Sequence, residues 1–396
     1  MSMFFEVHTD SGVPVTGYLA IDSLVSGEAH GGLRIADDVT PERLRLAART
    51  MTLKYGWVGL PVGGAKAGLL MSHDTSELDR ALMLRAFGQA IAPHLRTGRY
   101  VPGEDMGSTV DDIRALLKAA GLKPKPRSLM YAESGTFTGV SVCTTALTVT
   151  ESLKLPAKGL RVTIEGFGNV GSSAAAQFHA AGAKVVGIST VKGALYNENG
   201  LDIPTLLSLR RRYGDDAVLR PDAGTPVPAA SLIGLPADVF CPCAEMETIT
   251  VSNALKLSAR VVCPGANVPA TEEAEALLTR QRVIVVPDFV ANCGGVLGSS
   301  MSRAGLGREE VTDILQRRLQ EQTSLLIMEA REQRRTLREA ATELAMQRFD
   351  EARERYERNT PAQSFMRFAV GIYRRGLIPG PLLAPLGRRY YRAGLP

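Results

Sequence analysis

The chain has 396 residues, of which 45% are hydrophobic and 22% charged, and this predicts two globular domains with a buried core in each. Its net charge of +5 is too small to indicate a nucleic-acid partner, and no uncharged apolar stretch is long enough to span a bilayer. The positive excess comes from residues 359–396, which contain six arginines and no Asp, Glu or Lys, so the rest of the chain carries 5 − 6 = −1.

The first third of the chain contains two lysines that are candidate functional residues. Thr40-Pro41 and apolar residues at helical spacing predict a helix from Pro41 to about Tyr55, with Lys54 near its end. Residues 63–68 predict a loop whose glycines leave the second lysine, Lys66, uncovered. The other elements predicted here are a glycine-marked turn or loop at 27–34, a helix at 76–92, a loop at 100–109 and a helix at 110–120.

A pair of lysines that converges on one pocket would divide the work of binding and proton transfer. One lysine can hold an anionic group, and the other can be tuned for proton transfer, because lysine responds strongly to desolvation and to neighbouring charge. Taken alone, Lys54 and Lys66 favour a simpler interpretation, namely two solvated lysines that flank a turn. The rest of the chain reverses that preference.

Residues 160–189 predict a dinucleotide-binding unit. A strand at 160–165 leads through Gly166-Phe167-Gly168-Asn169-Val170-Gly171 into an alanine-rich helix at 172–181 and a second strand at 184–189. A GxGxxG motif placed between a strand and a helix is a strong signal, because its glycines allow a tight turn and close approach to a pyrophosphate. A long helix at 138–155, apolar strands at 238–243, 260–263 and 282–287, and charged helices at 308–358 complete the predicted elements.

The five cysteines indicate a reducing compartment. They are odd in number, scattered and mostly within apolar runs, as expected of small buried thiols. Cys241-Pro-Cys243 could be half of a metal site, but no other residues supply metal-ligand spacing. The first residues lack a basic region followed by an apolar run, so no signal peptide is predicted. We therefore predict a cytoplasmic protein without a metal site.

In their order along the chain, these motifs resemble those of the glutamate/leucine/phenylalanine/valine dehydrogenase family, over roughly residues 6–351. The resemblance implies an α/β protein in which an N-terminal substrate domain and a Rossmann-type, doubly wound dinucleotide domain are separated by a cleft. We place the substrate domain at 1–139, rejoined by 343–396, and the dinucleotide domain at 140–342. The matching motifs are Gly31-Gly32-Leu33-Arg34, Met51-Thr52-Leu53-Lys54, the segment 61–66, Asp105-Met106-Gly107, the glycine-rich turn at 166–171, Gly265-Ala266-Asn267 and the segment 287–296.

The family's activity is the reversible, NAD- or NADP-dependent conversion of an L-amino acid into its 2-keto acid and ammonia. By resemblance, Lys54 binds the substrate α-carboxylate, Lys66 is the catalytic lysine that activates water, and Asp105 shuttles protons to and from the amino group. The relatives are oligomeric, which implies a homo-oligomer. The other matched positions are His30, Gly31, Gly32 and Ser299 on the substrate side, and Thr138 and Asn267, besides the glycine-rich turn, on the cofactor side.

Several positions depart from the family pattern. His30 stands where glutamate-specific members carry a lysine and leucine-type members an apolar residue, whereas Ser299 matches a contact to the glutamate γ-carboxylate. A histidine with a serine can bind an acidic side chain, so a glutamate-like substrate is favoured over a leucine-, phenylalanine- or valine-like one. Ser302 replaces a common acid, and Ala67 replaces a common glycine.

The end of the second strand bears on the choice of cofactor. NAD-binding folds usually place an acid there to bind the ribose 2′-hydroxyl. No acid occurs between Lys184 and Tyr196, where Thr190 ends the strand and Lys192 follows. A threonine can hydrogen-bond a 2′-phosphate and a lysine can pair with it, so we expect NADP to be accepted, with NAD use not excluded. The alternative is a cofactor-indifferent site in which Lys192 points to solvent and Thr190 only ends the strand.

Two alternatives remain open at this point. A degenerate relative that binds amino acid and nucleotide as a sensor would not need Lys54, Lys66 and Asp105 together, which argues for an active enzyme. The arginine-rich segment after Arg358 has no counterpart in the family, and aromatic residues such as Phe368 and Tyr391 interleave with its arginines. It is either a surface for a partner or membrane, or an extension packed on the N-terminal domain, and we favour the second interpretation.

Overall fold

The computed structural model describes residues 2–9, 14–123, 133–220, 224–358, 360, 364, 368, 372, 385 and 387–391. It contains two compact units, each with a β-sheet and packed helices, and the predicted α/β class is thus confirmed. The first unit comprises the described residues of Met1–Tyr131, Ser300–Leu306 and Leu344–Pro396, and the second those of Ala132–Ser299 and Gly307–Glu343.

The first unit has a five-stranded mixed sheet in the order β1-β2-β4-β3-β5. β3 lies between β4 and β5 and is parallel to both, whereas β2 is antiparallel to β1 and β4. One face buries Leu19, Leu33 and Ala67 against Phe87 and Ile113 of the helices, which forms this unit's core. The elements are β1 Met3–Thr9, β2 Val15–Ile21, β3 Ala29–Ala36, α1 Pro41–Trp57, β4 Gly63–Leu70, α2 Glu77–Ala90, α3 Ala92–Arg96, β5 Val101–Glu104 and α4 Val110–Ala119.

Helix α1 begins as predicted and packs closely on β4. The Thr40 hydroxyl accepts a hydrogen bond from the Arg43 N–H, and Pro41 occupies the first turn. A Cβ added to Gly64 would lie 2.3 Å from the Thr52 nitrogen, and one added to Gly68 would lie 2.6 Å from Leu44 Cδ1. The glycines therefore allow the helix to approach the strand.

The predictions of a loop at 63–68 and of a turn or loop throughout 27–34 are wrong. Residues 63–68 belong to β4, and residues 29–34 belong to β3. The glycine content favours loops when local preference alone is considered, but pairing with strands on both sides and burial outweigh that preference. The tight turn is confined to residues 25–28, where Gly27 has a φ of +84°.

The second unit has a seven-stranded sheet in the order β12-β11-β10-β6-β7-β8-β9. β12, β11, β10, β6 and β7 are parallel, as predicted, and two antiparallel strands, which the sequence did not predict, extend the sheet past β7. The strands are β6 Arg161–Glu165, β7 Lys184–Thr190, β8 Gly193–Tyr196, β9 Thr225–Val227, β10 Val239–Pro242, β11 Val261–Val262 and β12 Ile284–Val285.

The remaining helices are α5 Ser134–Ser152, α6 Asn169–Ala180, α7 Ile203–Tyr213, α8 Val251–Ala254, α9 Glu272–Arg280, α10 Asp288–Ala291, α11 Gly294–Arg303, α12 Arg308–Glu332 and α13 Leu337–Glu357. β6 lies between β7 and β10, so the chain adds strands first on one side of β6 and later on the other. Sheets of this kind bind ligands at the carboxyl end of the strand where the order reverses, which is β6 here.

All five cysteines are free thiols. Among the helices described, none is long and apolar enough to cross a membrane. Of the six arginines after residue 358, the structure describes Arg388 and Arg389.

Candidate active site

Lys66 and Asp105 form an ion pair in the first unit. Lys66 Nζ lies 2.7 Å from Asp105 Oδ2, and the two side chains are 5% and 21% exposed. Lys66 occupies the middle of β4, between Gly64 and Gly68 on the same face, with Ala20 of β2 beside it. The register of β3 against β4 places Gly32 on its other side. Helix α1 covers Gly64 and Gly68, whereas the space above Gly32 is occupied by Asp105.

The loop after β5 fixes the position of Asp105. The Asp105 N–H donates to Ser108 Oγ at 3.0 Å, and the Ile35 N–H donates to the Met106 carbonyl at 3.0 Å. Gly107 has a φ of +75°, and a Cβ there would lie 1.9 Å from the Ile35 carbonyl oxygen. Glycine is therefore required at this position both for backbone conformation and for space.

The surroundings of Asp105 favour its ionised form. Burial opposes ionisation, but the Lys66 ammonium, the Met106 N–H and the Arg34 guanidinium outweigh that cost and hold the pKa of Asp105 below its ordinary value of 3.8. Asp105 is therefore a carboxylate at neutral pH. A carboxylate in contact with an ammonium can accept a proton from a bound substrate and later return it.

Gly31 and Gly32 make the close approach of β3 to its neighbours possible. A Cβ at Gly32 would lie 2.7 Å from Asp105 Cβ, and one at Gly31 would lie 1.6 Å from the Ala65 carbonyl oxygen. The Tyr100 hydroxyl donates to the Gly31 carbonyl at 3.1 Å. Of the two predicted substrate-side glycines, Gly32 thus lies directly beside the ion pair.

Lys54 and His30 lie near the same face of the first sheet. Lys54 is 6% exposed and lies in α1 between Thr52, which packs on Gly64, and Tyr55. The Tyr55 ring meets the His30 ring edge-on at 6.4 Å between centroids. His30 is 8% exposed, and its Nε2 lies 3.8 Å from Glu28 Oε2. The alternation of side chains along β3 places His30 on the face that carries Lys66.

The glycine-rich turn of the second unit has the geometry of a phosphate-binding turn. Gly166 has a φ of +84°, and a Cβ at Gly171 would lie 1.9 Å from the Gly166 carbonyl oxygen. A Cβ at Gly168 would meet nothing within 4 Å. Gly168 also precedes α6 without a side-chain cap, so the N–H groups of the first turn can bind an anion. These residues fit the pyrophosphate of a dinucleotide.

The other residues of this turn have defined contacts. The buried Phe167 donates its N–H to the Ser189 carbonyl at 2.8 Å. The Val170 side chain packs against Gly265, since a Cβ added to Gly265 would lie 2.7 Å from Val170 Cγ1. Asn169 Oδ1 accepts a hydrogen bond of 2.9 Å from Arg210 Nη2. Arg210 is a cation at the turn that the sequence did not single out, because it lies 41 positions further along.

The hydroxyl of Thr190 has two partners within the protein. It donates to the Asp215 carbonyl at 2.9 Å and accepts from the Lys192 N–H at 3.1 Å. Because its proton is engaged, Thr190 cannot donate to a ribose phosphate while this bond persists. Lys192 is exposed and remains the cation at this strand end.

Two buried side chains hold residues 265–268, which include Asn267. The Asn292 amide donates to the Gly265 and Ala266 carbonyls and, at 3.1 Å, to Asn267 Oδ1. The buried Asp288 accepts from the Val268 N–H at 2.9 Å and from Arg338 Nη1 at 3.3 Å. Arg338 was not predicted, because it lies 50 positions after Asp288 and only folding brings it close.

The last two predicted residues lie in helices of the second unit. Thr138 is buried in α5 and donates to the Ser134 carbonyl at 2.8 Å. Ser299 is buried in α11. The structure thus groups Lys54, Lys66, Asp105, His30, Gly31 and Gly32 in the first unit, and Ser299, Thr138, Asn267, Thr190, Lys192 and the glycine-rich turn in the second.

The sequence matches two family models and several dehydrogenases. A model described as Glutamate/Leucine/Phenylalanine/Valine dehydrogenase matches residues 132–356, and one described as Glu/Leu/Phe/Val dehydrogenase, dimerisation domain, matches residues 1–120. The chain is 34% identical over 297 residues to the catabolic NAD-specific glutamate dehydrogenase RocG of Bacillus subtilis (strain 168), across 71% of this chain and 68% of that one. It is 32% identical over 303 residues to the NAD-specific glutamate dehydrogenase of Staphylococcus aureus (strain COL), across 71% and 70%.

Solved structures support the same fold. The hetero-hexameric glutamate dehydrogenase of Thermus thermophilus, in its Leu-bound form, aligns with a TM-score of 0.74 at 24% identity, across 89% of this chain and 88% of that one. The L-tryptophan dehydrogenase of Nostoc punctiforme aligns with a TM-score of 0.61 at 21% identity, across 88% and 96%. These likenesses confirm an N-terminal domain and a Rossmann-type domain. The chain belongs to the glutamate/leucine/phenylalanine/valine dehydrogenase family and is an NAD(P)-dependent amino-acid dehydrogenase, an oxidoreductase that acts on the CH–NH2 group.

Proposed function

We propose that the chain catalyses the reversible oxidative deamination of an L-amino acid with an acidic side chain, such as glutamate, to the 2-keto acid and ammonia. The observation that carries the proposal is the ion pair between the buried Lys66 and the partly exposed Asp105, beside Gly32. A protein that only bound an amino acid would not need an acid/base pair of this kind. The Bacillus and Staphylococcus relatives, both named as glutamate dehydrogenases, favour glutamate.

The residues divide the reaction between binding and proton transfer. Lys54 holds the α-carboxylate through its ammonium, and Asp105 takes a proton from the substrate ammonium so that the nitrogen lone pair can form the C=N bond. Bound NAD or NADP supplies the acceptor for the hydride that leaves Cα. Lys66 orients the water that attacks the imine carbon, and Asp105 returns its proton to the nitrogen as the C–N bond breaks. Of the two protons that the water brings, one passes to solvent and the other leaves with the nitrogen as ammonium, so one proton is released over the whole cycle.

The cofactor is NAD or NADP, held at the glycine-rich turn, with Asn267 and Thr138 as further residues on the cofactor side. The names of the two relatives favour NAD. Lys192 is exposed, and no acid occurs between Lys184 and Tyr196. We therefore expect NADP to serve as a hydride acceptor besides NAD. The test of this choice is a titration of the protein with both dinucleotides.

The organisation of the chain follows from these roles. We assign residues 1–139 and 343–396 to the substrate domain and residues 140–342 to the dinucleotide domain. A homo-oligomer is supported by the description of the family model for residues 1–120 as a dimerisation domain. The five free thiols agree with a reducing compartment, for which we propose the cytoplasm.

The substrate is tested by assaying glutamate, leucine, phenylalanine and valine with both dinucleotides. We expect glutamate to be turned over fastest. Because His30 lies on the face of Lys66, His30→Leu should shift the preference toward leucine and His30→Lys toward glutamate. Faster turnover of an aliphatic amino acid would instead assign the chain to the leucine-type branch. A lack of turnover with every substrate would indicate a binding protein that has lost its activity.

A further inference from the structure

The chain continues past the region that the family model covers and returns to helix α11. The model match ends at residue 356, whereas residues 387–391 are helical and pack on residues 300–306 of the same unit. A Cβ at Gly387 would lie 2.8 Å from Leu306 Cδ1 and 3.0 Å from the Ala304 carbonyl oxygen. Residues 387–391 are called the C-terminal anchor below.

The centre of this contact is a hydrogen bond between two hydroxyl groups. Tyr391 is 7% exposed, and its hydroxyl oxygen lies 2.6 Å from Ser300 Oγ. The neighbouring Tyr390 is 41% exposed and meets the Tyr391 ring edge-on at 5.1 Å. The two adjacent tyrosines thus differ in burial, and the contact to α11 belongs to the buried one.

The end of α11 is itself well defined. The Ala304 N–H donates to the Ser300 carbonyl at 3.1 Å, and the Leu306 N–H donates to the Met301 carbonyl at 3.2 Å. Gly305, with a φ of +88°, reverses the chain there, and Met301 and Leu306 are buried. These hydrogen bonds tie Ser300 and Met301 to the residues that end the helix. A change in the position of Ser300 is therefore expected to shift the adjacent residues of the helix.

We propose that the C-terminal anchor is a positioning element for substrate specificity, in which Tyr391, through Ser300, sets the rotation of the helical turn that carries Ser299. The inference rests on the proposed function, and on the match of Ser299 to the family's contact with the glutamate side chain. A helix rotation of about 10° moves a side-chain atom roughly 5 Å from the axis by about 1 Å. A displacement of that size is enough to weaken a positioned hydrogen bond.

The test removes one hydroxyl at a time from the full chain. Tyr391→Phe and Ser300→Ala should each raise the KM for glutamate about 2- to 10-fold, the range expected for one neutral hydrogen bond, without changing the Kd of the dinucleotide. The double variant should show no further loss, because both changes break the same bond. Tyr390→Phe removes the hydroxyl next to it in sequence and is the matched control, expected to behave as the wild type.

The decisive readout is the ratio of kcat/KM for glutamate to that for leucine. A loss of thermal stability in Tyr391→Phe and Ser300→Ala with an unchanged ratio would overturn the inference and leave the anchor as a structural contact. Ser299→Ala separates this result from a failure of the proposed function. If Ser299→Ala changes the ratio and the other two variants do not, the anchor has no role in specificity. If Ser299→Ala also leaves the ratio unchanged, the role proposed for Ser299 is wrong.

Discussion

Replacing Gly32 by alanine should disable the candidate active site without removing any functional group. The new Cβ would lie 2.7 Å from Asp105 Cβ and 2.7 Å from the Glu104 carbonyl oxygen. Ordinary contacts between carbon atoms are about 3.5 Å, so either residue 32 or Asp105 must move by about 0.8 Å to relieve the contact between their Cβ atoms. Gly32 lies in a strand that is paired on both sides, whereas Asp105 follows β5 in a loop. The end of β5 and the loop that follows it, and with them the carboxylate, are therefore the parts that give way.

The consequence is a loss of rate that exceeds the loss of stability. A displacement of about 1 Å at a reacting group can cost on the order of 10²-fold, so we expect kcat/KM to fall by about 10- to 100-fold. Gly68→Ala is the matched control, because its Cβ would meet Leu44 Cδ1 and Val39 Cγ1 at 2.6 Å, away from Asp105. The assay is steady-state turnover together with thermal unfolding of both variants. Wild-type turnover in Gly32→Ala, or an equal loss in Gly68→Ala, would refute the reasoning.

Three further predictions concern charged groups. Lys66→Ala should lower turnover on the order of 10²- to 10⁴-fold while the dinucleotide still binds, and wild-type-like turnover would exclude the role assigned to Lys66. Because the pKa of Asp105 is lower in the folded protein than its ordinary 3.8, its stabilising contribution is present above that pH and disappears as the pH falls through the folded pKa. Asp105→Asn should remove the part of the fall in melting temperature at acidic pH that comes from protonating Asp105. Parallel curves of melting temperature against pH for the variant and the wild type would contradict this prediction. Lys192→Ala should weaken NADP more than NAD, as measured by titration with each, and an unchanged ratio of the two affinities would show that Lys192 does not contact the ribose.

Local chemistry explains why some features were predictable from the sequence. Helix α1 begins at Pro41 because Thr40 caps it within three residues, and the turn at 166–171 needs only its own glycines. The order of motifs also predicted that Lys54, Lys66 and Asp105 belong to one site, and Lys66 and Asp105 do form an ion pair. All of these signals involve residues that are close in sequence or patterns that are preserved along it.

The strands that carry the site were decided only by the tertiary structure. Residues 29–36 and 63–70 are rich in glycine, which locally favours loops, yet they form β3 and β4 because strand pairing and the close packing of α1 outweigh that preference. The Arg338 contact to Asp288 and the Tyr391 contact to Ser300 span 50 and 91 positions, and no short-range pattern predicts either. Lys66 and Asp105 meet because β3 lies between β4 and β5, and that order depends on which strands pair across the sheet, an outcome set by burial over the whole domain.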